Sequence, residues 1–516
     1  MIISLSVLVI TIIVSGTYAL YKAQLSKNIG VNTTTHGLAY YINYVKGTDI
    51  TAATLNPSTS YEGGASSDIE FWKKDDSYDI YGKIELTVNT IGTNLSNSPA
   101  LKYAVVNNGN VLKEGSLKGT TSGSKVTILK NLYLEQTKQI YTVYVWLDNS
   151  EELGNISNES LSISVDCTAS LQKEPTAADT IISLYTSAAK VTATNNSITY
   201  NTAPSVSLMN DRLGGTTTDL DGGNIRYYGA SPNNYIYFNC SDYSNQTSST
   251  CETWRIIGVF DGKLKLIKGS QIGTYSWDNK NTSTGAENNS GKNDWTTARL
   301  MKLLNPVDYY INDNNDKDSE GNYLGYSLYY NSTSGKCYSG KNNATVDCDF
   351  TSTGIKNDET RNMIAETTYN LGGWNTFTVY PNEIYEYERG TTVYTGRLPT
   401  WTGKIALAYP SDYGYAADLN QCVNKQLNKY NDSTCTSNNW MKSIITNNGS
   451  NDGWLLTPHS NYSYIAWGVI LSGIMGGNHA YYSSYGSAPV LYLSSELGIE
   501  SGAGDGSSSN PYKLSA

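Results

Sequence analysis

Four stretches in the first third of the chain alternate apolar and polar residues with a period of two, or nearly so: Ile84-Glu85-Leu86-Thr87-Val88, Val126-Thr127-Ile128-Leu129, Tyr141-Thr142-Val143-Tyr144-Val145-Trp146-Leu147 and Leu161-Ser162-Ile163-Ser164-Val165. That period puts successive side chains on opposite faces of an extended strand, whereas a helix returns to the same face every 3.6 residues. With Asn, Gly and Ser breaks between them, the stretches predict an antiparallel β-sandwich of about 130 residues. Each strand turns one side to a core and the other to water.

At about 150 residues per domain, a chain of 516 residues fills roughly three domains or two large ones. The alternating stretches set the sandwich within residues 21–170. Residues 177–189 read as a short helix with Ile181, Ile182, Leu184 and Tyr185 on one face, followed by a Thr/Asn/Gly-rich stretch up to Gly223. Residues 171–223 are therefore expected to be a helix and polar linker, and residues 224–516 a larger α+β domain. Its strand candidates are Tyr235-Ile236-Tyr237-Phe238, Trp254-Arg255-Ile256-Ile257-Gly258-Val259-Phe260 and Lys263-Leu264-Lys265-Leu266-Ile267. Helix candidates span 296–304, 359–371 and 419–430, and residues 454–493 read as short strands between Gly turns. The fold class is a two-domain, mostly β protein.

Residues 2–14 form an apolar run broken by Ser4, Ser6 and Thr11, and Ser15-Gly16-Thr17-Tyr18-Ala19 follows with Thr17 and Ala19 at a small-x-small spacing. Residues 1–20 thus look like a secretory signal, although no Lys or Arg precedes the apolar run. An uncleaved N-terminal anchor is the alternative, and the only membrane contact expected. The positive-inside rule would draw Lys22 and Lys27 to the cytoplasm, which makes export with cleavage the more consistent reading. Cysteine usage agrees with export. Six of the seven Cys form local pairs, Cys240 with Cys251, Cys337 with Cys348 and Cys422 with Cys435, each bracketing a Ser/Asn/Thr-rich loop. Closing loops of this size stabilises by up to about 3 kcal/mol each in a compartment that does not reduce thiols. Independent buried thiols are the alternative. Cys167 is left over and is expected in a buried strand, and no Cys/His spacing points to zinc.

Lys and Arg number 36 against 46 Asp and Glu, a net charge of −10, and 16% of residues are charged, so a nucleic-acid partner is not expected. The most suggestive segment is 460–487, which sets Tyr462, Tyr464, Trp467, Asn478, His479, Tyr481, Tyr482 and Tyr485 among Gly and Ser. Tyr and Trp supply rigid contact area with polar tips, and Ser, Gly and Asn supply adaptable hydrogen bonds. Such a surface suits sugar rings, whose C–H faces stack on aromatic rings. The alternative is that alternate residues, Trp467 and Val469 among them, are core of a Tyr-rich β domain. Asp316, Asp318 and Glu320 alternate before Gly321 as in a calcium loop, but Ser327 stands where a bidentate Glu would close it, and a solvated acidic loop is the plainer reading. No cofactor is expected apart from calcium at that loop. Only His36, His459 and His479 exist. A triad of Ser460, His459 and Asp452 would need sequence neighbours to converge. Glu383 and Glu386 would cut glycosides only if suitably placed. The chain is not expected to be an enzyme.

The second half resembles an uncharacterised domain of Gram-positive gut bacterial surface proteins. The resemblance rests on Trp254-Arg255-Ile256-Ile257-Gly258-Val259-Phe260, Gly403-Lys404-Ile405-Ala406-Leu407, Ser411-Asp412-Tyr413-Gly414-Tyr415-Ala416-Ala417, Asn438-Asn439-Trp440-Met441, Trp454-Leu455-Leu456-Thr457-Pro458, Pro489-Val490-Leu491-Tyr492-Leu493 and the closing Gly504-Asp505-Gly506-Ser507-Ser508-Ser509-Asn510-Pro511-Tyr512. Together these cover roughly residues 177–515. The family's usual Arg before the Pro of the final strand is Ala488 here, so any role of that Arg does not carry over. By analogy the resemblance implies a C-type-lectin-like or formylglycine-generating-enzyme-like fold. In lectin-like proteins of the diversified kind, a Tyr/Asn/Ser-rich segment is the binding face. The first half resembles secreted β-sandwich subunits of bacterial matrix fibres, through Ser15-Gly16-Thr17-Tyr18-Ala19 and the strand 141–147, which implies a surface module able to self-associate through edge strands.

These readings converge on an extracellular or cell-surface, adhesin-like binding protein whose C-terminal domain meets glycans or host or bacterial surface proteins. A structural subunit of a matrix fibre or pilus, self-associating, is one alternative, and a carbohydrate-active hydrolase is another. The closing Pro511-Tyr512-Lys513-Leu514-Ser515-Ala516 carries no sortase-type signal, so wall attachment by that route is not expected.

Overall fold

Strand Tyr81–Ile91 carries out the alternation read from its sequence: Ile84, Leu86 and Val88 are fully buried, while Lys83, Glu85 and Thr87 keep partial exposure. The computed structural model describes residues 41–51, 55–149, 159–213, 223–243, 245–278, 289–306, 327–332, 349–500 and 502–515. It also describes positions 153, 156 and 309, and, for 23–24, 335–338 and 345–348, the backbone. The apolar segment at 1–20 and Asp316, Asp318 and Glu320 lie outside the described residues. Among the described residues no helix is long and apolar enough to cross a membrane. The chain divides into two compact units, Met1–Glu174 and Pro175–Ala516.

The first unit is an antiparallel β-sandwich. One sheet runs Ala23–Gln24, Leu161–Ser170, Tyr81–Ile91 and Lys125–Tyr133, with Ile50–Thr51 also on Leu161–Ser170. The other runs Ile42–Val45, Ala65–Lys73, Ile140–Asp148, Leu101–Asn107 and Asn110–Ser116, and the short Pro57–Ser58 joins Ile140–Asp148 in parallel. Inward residues of both sheets, among them Phe71, Leu86, Val143, Val145, Ile163 and Val165, make one core. Cys167 is buried in this core as a free thiol, in strand Leu161–Ser170. The second stretch departs from strict alternation because Ile84 pairs Leu129 and Glu85 pairs Thr127, leaving Ile128 as the extra residue of a β-bulge. The bulge lets Ile128 and Leu129 both reach the core. Asn108 and Gly109, at φ 49° and 77°, form the two-residue turn into the edge strand, where a right-twisted hairpin wants both central residues left-handed.

The second unit is α+β, built on a nine-stranded antiparallel sheet. Its order is Val191–Asn195, Ile198–Ala203, Leu208–Asn210, Ile225–Tyr227, Glu252–Phe260, Lys263–Lys268, Val490–Tyr492 and Ile405–Ala406, with Tyr235–Phe238 also against Glu252–Phe260. Residues 171–223, expected as helix and linker, therefore do more. Helix Ala177–Ser187 is closed at its start by a capping box, in which Thr176 Oγ1 accepts from Asp179 N at 3.0 Å and Asp179 Oδ2 accepts from Thr176 N at 2.9 Å. It buries Ile181 and Tyr185, one turn apart. The Thr/Asn-rich residues after it form three strands of the sheet. They read as polar because Thr192, Thr194 and Asn201 face outward or half outward while Tyr200, Thr202 and Ala203 are buried between them.

Shorter pieces complete this unit. A three-stranded sheet joins Gly453–Pro458, Ile465–Val469 and Met475–His479. Strand Thr367–Asn370 pairs with Thr400–Gly403, so the expected helix 359–371 is confined to Asp358–Met363. The expected helix 419–430 is absent apart from a single 3-10 turn, Leu427–Lys429. Asn424 stands in the left-handed region at φ 49°, and Leu427 N is committed to Val379 O, both of which break a continuous helical ladder. Helix Arg299–Leu304, preceded by the 3-10 turn Trp295–Thr297, fills the expected 296–304. Disulfides join Cys240 to Cys251 and Cys422 to Cys435, and such bonds belong to an oxidising compartment. Strands Gly335–Tyr338 and Thr345–Cys348 pair with Cys337 opposite Val346; the side chains of Cys337 and Cys348 lie outside the described residues.

Candidate functional site

The hairpin Ile465–Val469/Met475–His479 positions most of the aromatic segment. Ile465 pairs with His479 and Ala466 with Asn478, so Tyr464, one residue before the first strand, comes beside the imidazole at the end of the second. A series of ring contacts follows: Tyr462 to Tyr464 at 5.8 Å, Tyr464 to His479 at 4.8 Å, His479 to Tyr481 at 5.8 Å and to Tyr482 at 6.2 Å, with Tyr481 and Tyr482 stacked at 4.9 Å. The turn that presents the last two rings is held by Tyr482 N donating to His479 O at 3.0 Å. Tyr462 and Tyr482 are 47% and 37% exposed, and Tyr464, Asn478, His479 and Tyr481 are half-buried. Tyr462, Tyr464, His479, Tyr481 and Tyr482 form one aromatic face, whereas Asn478, next to His479 along the strand, turns its side chain to the opposite side of the hairpin, onto the Tyr485 hydroxyl.

Trp467 and Tyr485 do not belong to that face. Trp467 is fully buried, because it points from the middle strand into the core with Phe377 at 4.8 Å. Tyr485 is 3% exposed and stacks on Trp454 at 4.1 Å, and its hydroxyl accepts Asn478 Nδ2 at 3.2 Å. Burial raises its pKa to about 12. Both are therefore core residues, Trp467 on the His479 side of the hairpin and Tyr485 on the Asn478 side. Gly477 is required on the Trp467 side, since a Cβ there would meet the Phe377 ring at 2.6 Å.

The other sequence candidates separate. His459 Nδ1 accepts the N–H of Asn461 at 3.2 Å, and Asp452 Oδ1 accepts that of Leu471 at 2.8 Å. Neither hydrogen-bonds the other or the Ser460 hydroxyl, so no triad forms. Burial lowers the His459 pKa, and its ring extends the aromatic series inward, 4.9 Å from Tyr462 and 5.7 Å from Phe377. Glu383 caps helix Pro381–Arg389 by accepting Tyr380 N at 2.9 Å, and Glu386 is exposed on that helix. Among the described residues no group of three His, Cys, Asp or Glu could hold a metal ion.

A second constellation, absent from the sequence reading, surrounds a cavity of about 380 Å³. Below it Arg226 donates from Nε to Asp211 and from Nη1 to Asp412 Oδ1 at 3.0 Å, and Lys265 Nζ reaches Asp412 Oδ2. All four are essentially without solvent exposure. Burial works to raise the Asp412 pKa, but Lys265 and Arg226 hold it below the usual carboxylate range. Burial pulls Lys265 down to about 8 against the attraction of Asp412. Glu388 accepts Ser411 N at 2.9 Å and Ser411 Oγ at 2.6 Å, and burial pushes its pKa up to about 7. Arg389, beside it, lines the cavity with Tyr385, Tyr409, Tyr492, Phe260 and Thr367. A signal for Glu388 existed in the sequence: Ile384 and Glu388 share one helical face at i and i+4, which sets a carboxylate on the apolar side. Lys265 gave none, since Lys263-Leu264-Lys265-Leu266 has the pattern of a half-exposed strand.

No protein-family model matches the chain, and no curated protein matches it. Among solved structures, a chain of the PBCV-1 virus capsid quasi-atomic model is similar over 43% of this chain and 60% of that chain, at 12% identity and a TM-score of 0.12. A likeness of that size carries no argument about fold or function.

Proposed function

We propose that the chain is a secreted or cell-surface binding protein that recognises glycans through the face formed by Tyr462, Tyr464, His479, Tyr481 and Tyr482. The observation that carries this reading is the unbroken series of ring contacts from Tyr462 to Tyr482, exposed at both ends. A buried core would not leave such a series open to water, and rings held by one another lose little freedom when a ligand stacks on them. The two disulfides support an extracellular location. The resemblance of the second half to surface-protein domains, lectin-like by analogy, supports the same role. On this reading the protein acts as an adhesin, binding rather than turning over its ligand, and the N-terminal sandwich serves as its presenting module.

The test is a glycan array probed with the full chain, with calcium and with chelator, followed by the double variant Tyr481→Ala/Tyr482→Ala. Specific hits are expected, and the variant should lose them by about tenfold or more, the loss of two stacking contacts, with an unchanged melting temperature. Unchanged affinity would remove these rings from the site. A blank array in both conditions would transfer the reading to protein recognition or fibre assembly, and turnover of a glycoside would establish a hydrolase instead. Signal lost only in chelator would bring calcium, and with it Asp316, Asp318 and Glu320, into the site.

A further inference from the structure

The cavity over the buried ion cluster has the makings of a second, independent binding site. Arg389 stands at its wall, with its guanidinium carbon over the Tyr385 ring, 3.4 Å from the centroid. Nη1 is spent on Tyr385 O and on Glu388 Oε2, both at 3.3 Å. Nε and Nη2 have no protein partner among the described residues, and the side chain retains 26% exposure. A guanidinium with two unspent donors, held against that ring, matches the bidentate geometry of a carboxylate.

The charge count agrees. Arg226, Lys265 and Arg389 face Asp211, Asp412 and Glu388, and Glu388 is the carboxyl that burial resists ionising. With Glu388 protonated the cluster has three cations and two anions, a surplus that one bound anion neutralises. On the rim Lys263 and Asp261 oppose each other in sign. The remaining walls combine aromatic faces from Phe260, Tyr409 and Tyr492 with two unspent polar groups. Thr367 Oγ1 is buried with no partner, and the Asn370 side-chain amide has none among the described residues, its backbone N–H alone being taken up by the Tyr409 hydroxyl at 2.7 Å. Ligand sites of this size are typically apolar with a few placed polar groups, and an orphaned buried hydroxyl costs free energy until something pairs with it.

We propose that this cavity binds a hexuronate-sized organic carboxylate, its carboxylate paired with Arg389 Nε and Nη2, its ring against the Phe260 and Tyr492 faces, and its hydroxyls on Thr367 Oγ1 and the Asn370 amide. The site is distinct from the Tyr462–Tyr482 face and does not depend on the role given to that face.

Titration calorimetry of the full chain with glucuronate and galacturonate, against glucose and galactose, tests the assignment. The acids are expected to bind and the neutral sugars to bind about tenfold to a hundredfold more weakly, the range set by a charge-assisted hydrogen bond. Arg389→Gln should abolish the preference for the acid while leaving circular dichroism unchanged. If that variant fails to fold, Thr367→Val, which removes only the orphaned hydroxyl, should fold and weaken binding of the acids several-fold. Equal binding of acid and neutral sugar, no heat from either acid at millimolar concentration, or undiminished affinity in Thr367→Val would each overturn the proposal.

Discussion

Glu388 sits on the penultimate residue of helix Pro381–Arg389 with no solvent exposure, surrounded by donors from Ser411 and Arg389. Those donors favour the carboxylate, yet burial outweighs them and the pKa rises to about 7 from an ordinary 4.5. Between about pH 4.5 and 7 the folded state then holds a proton that the unfolded chain has released, so stability falls as pH rises through that window. Glu388→Gln removes the titration. The wild-type chain should therefore lose on the order of 1–3 kcal/mol more than the variant between pH 5 and 7, read as diverging urea midpoints. Parallel midpoints would mean that Glu388 is ionised throughout. Trp467 makes the complementary point on the aromatic hairpin. Trp467→Ala empties a fully buried indole site and should cost about 3–5 kcal/mol, whereas Tyr482→Ala, at 37% exposure, should change stability by less than about 1 kcal/mol. Equal costs, measured by thermal unfolding, would place Tyr482 in the core.

Among the elements, those written into local chemistry were the legible ones. Strand Tyr81–Ile91 alternates cleanly, and the hairpin Glu252–Phe260/Lys263–Lys268 announces itself by Asp261-Gly262, both left-handed at φ 47° and 72°. The bulge at Ile128 could not be read, because which of two adjacent apolar residues is the unpaired one depends on the partner strand. Residues 419–430 failed for a similar reason: Leu419 and Leu427 offer apolar spacing, but Cys422 is tied to Cys435 and the chain turns at Asn424. In the candidate face, composition located the segment, and the buried positions Trp467 and Tyr485 were set by the direction in which the strand and the following loop point. The disulfide itself carries a prediction. It closes a loop of 13 positions, and both sulfurs are buried. Cys422→Ser/Cys435→Ser should therefore lower stability by about 3 kcal/mol, seen as a lower melting temperature that reductant no longer changes. A variant as stable as the wild type would show that packing alone holds this loop.

At the scale of the whole molecule, the decisive question is where the second unit begins. Composition changes near Gly223, since the stretch before it is rich in Thr, Asn and Gly, and a boundary there looks natural. The sheet begins earlier. Strands Val191–Asn195, Ile198–Ala203 and Leu208–Asn210 continue it antiparallel to Ile225–Tyr227, and Ile181, Tyr185, Tyr200, Leu208 and Met209 belong to its core. Asp211, the carboxylate on Arg226 Nε, also lies before Gly223. A fragment starting at Asn224 would lose a helix, three strands and one counterion of a guanidinium that is 1% exposed. Stranding a buried charge alone costs about 3–5 kcal/mol, a large part of the 5–15 kcal/mol that a typical domain has in total. Residues 175–516 expressed alone should therefore give one cooperative unfolding transition and a dispersed amide spectrum, while residues 224–516 should be insoluble or lack cooperative unfolding. If both fragments unfolded at the same temperature, the three strands and Asp211 would contribute nothing to the fold, and the ion cluster beneath the cavity would have to be rebuilt without them.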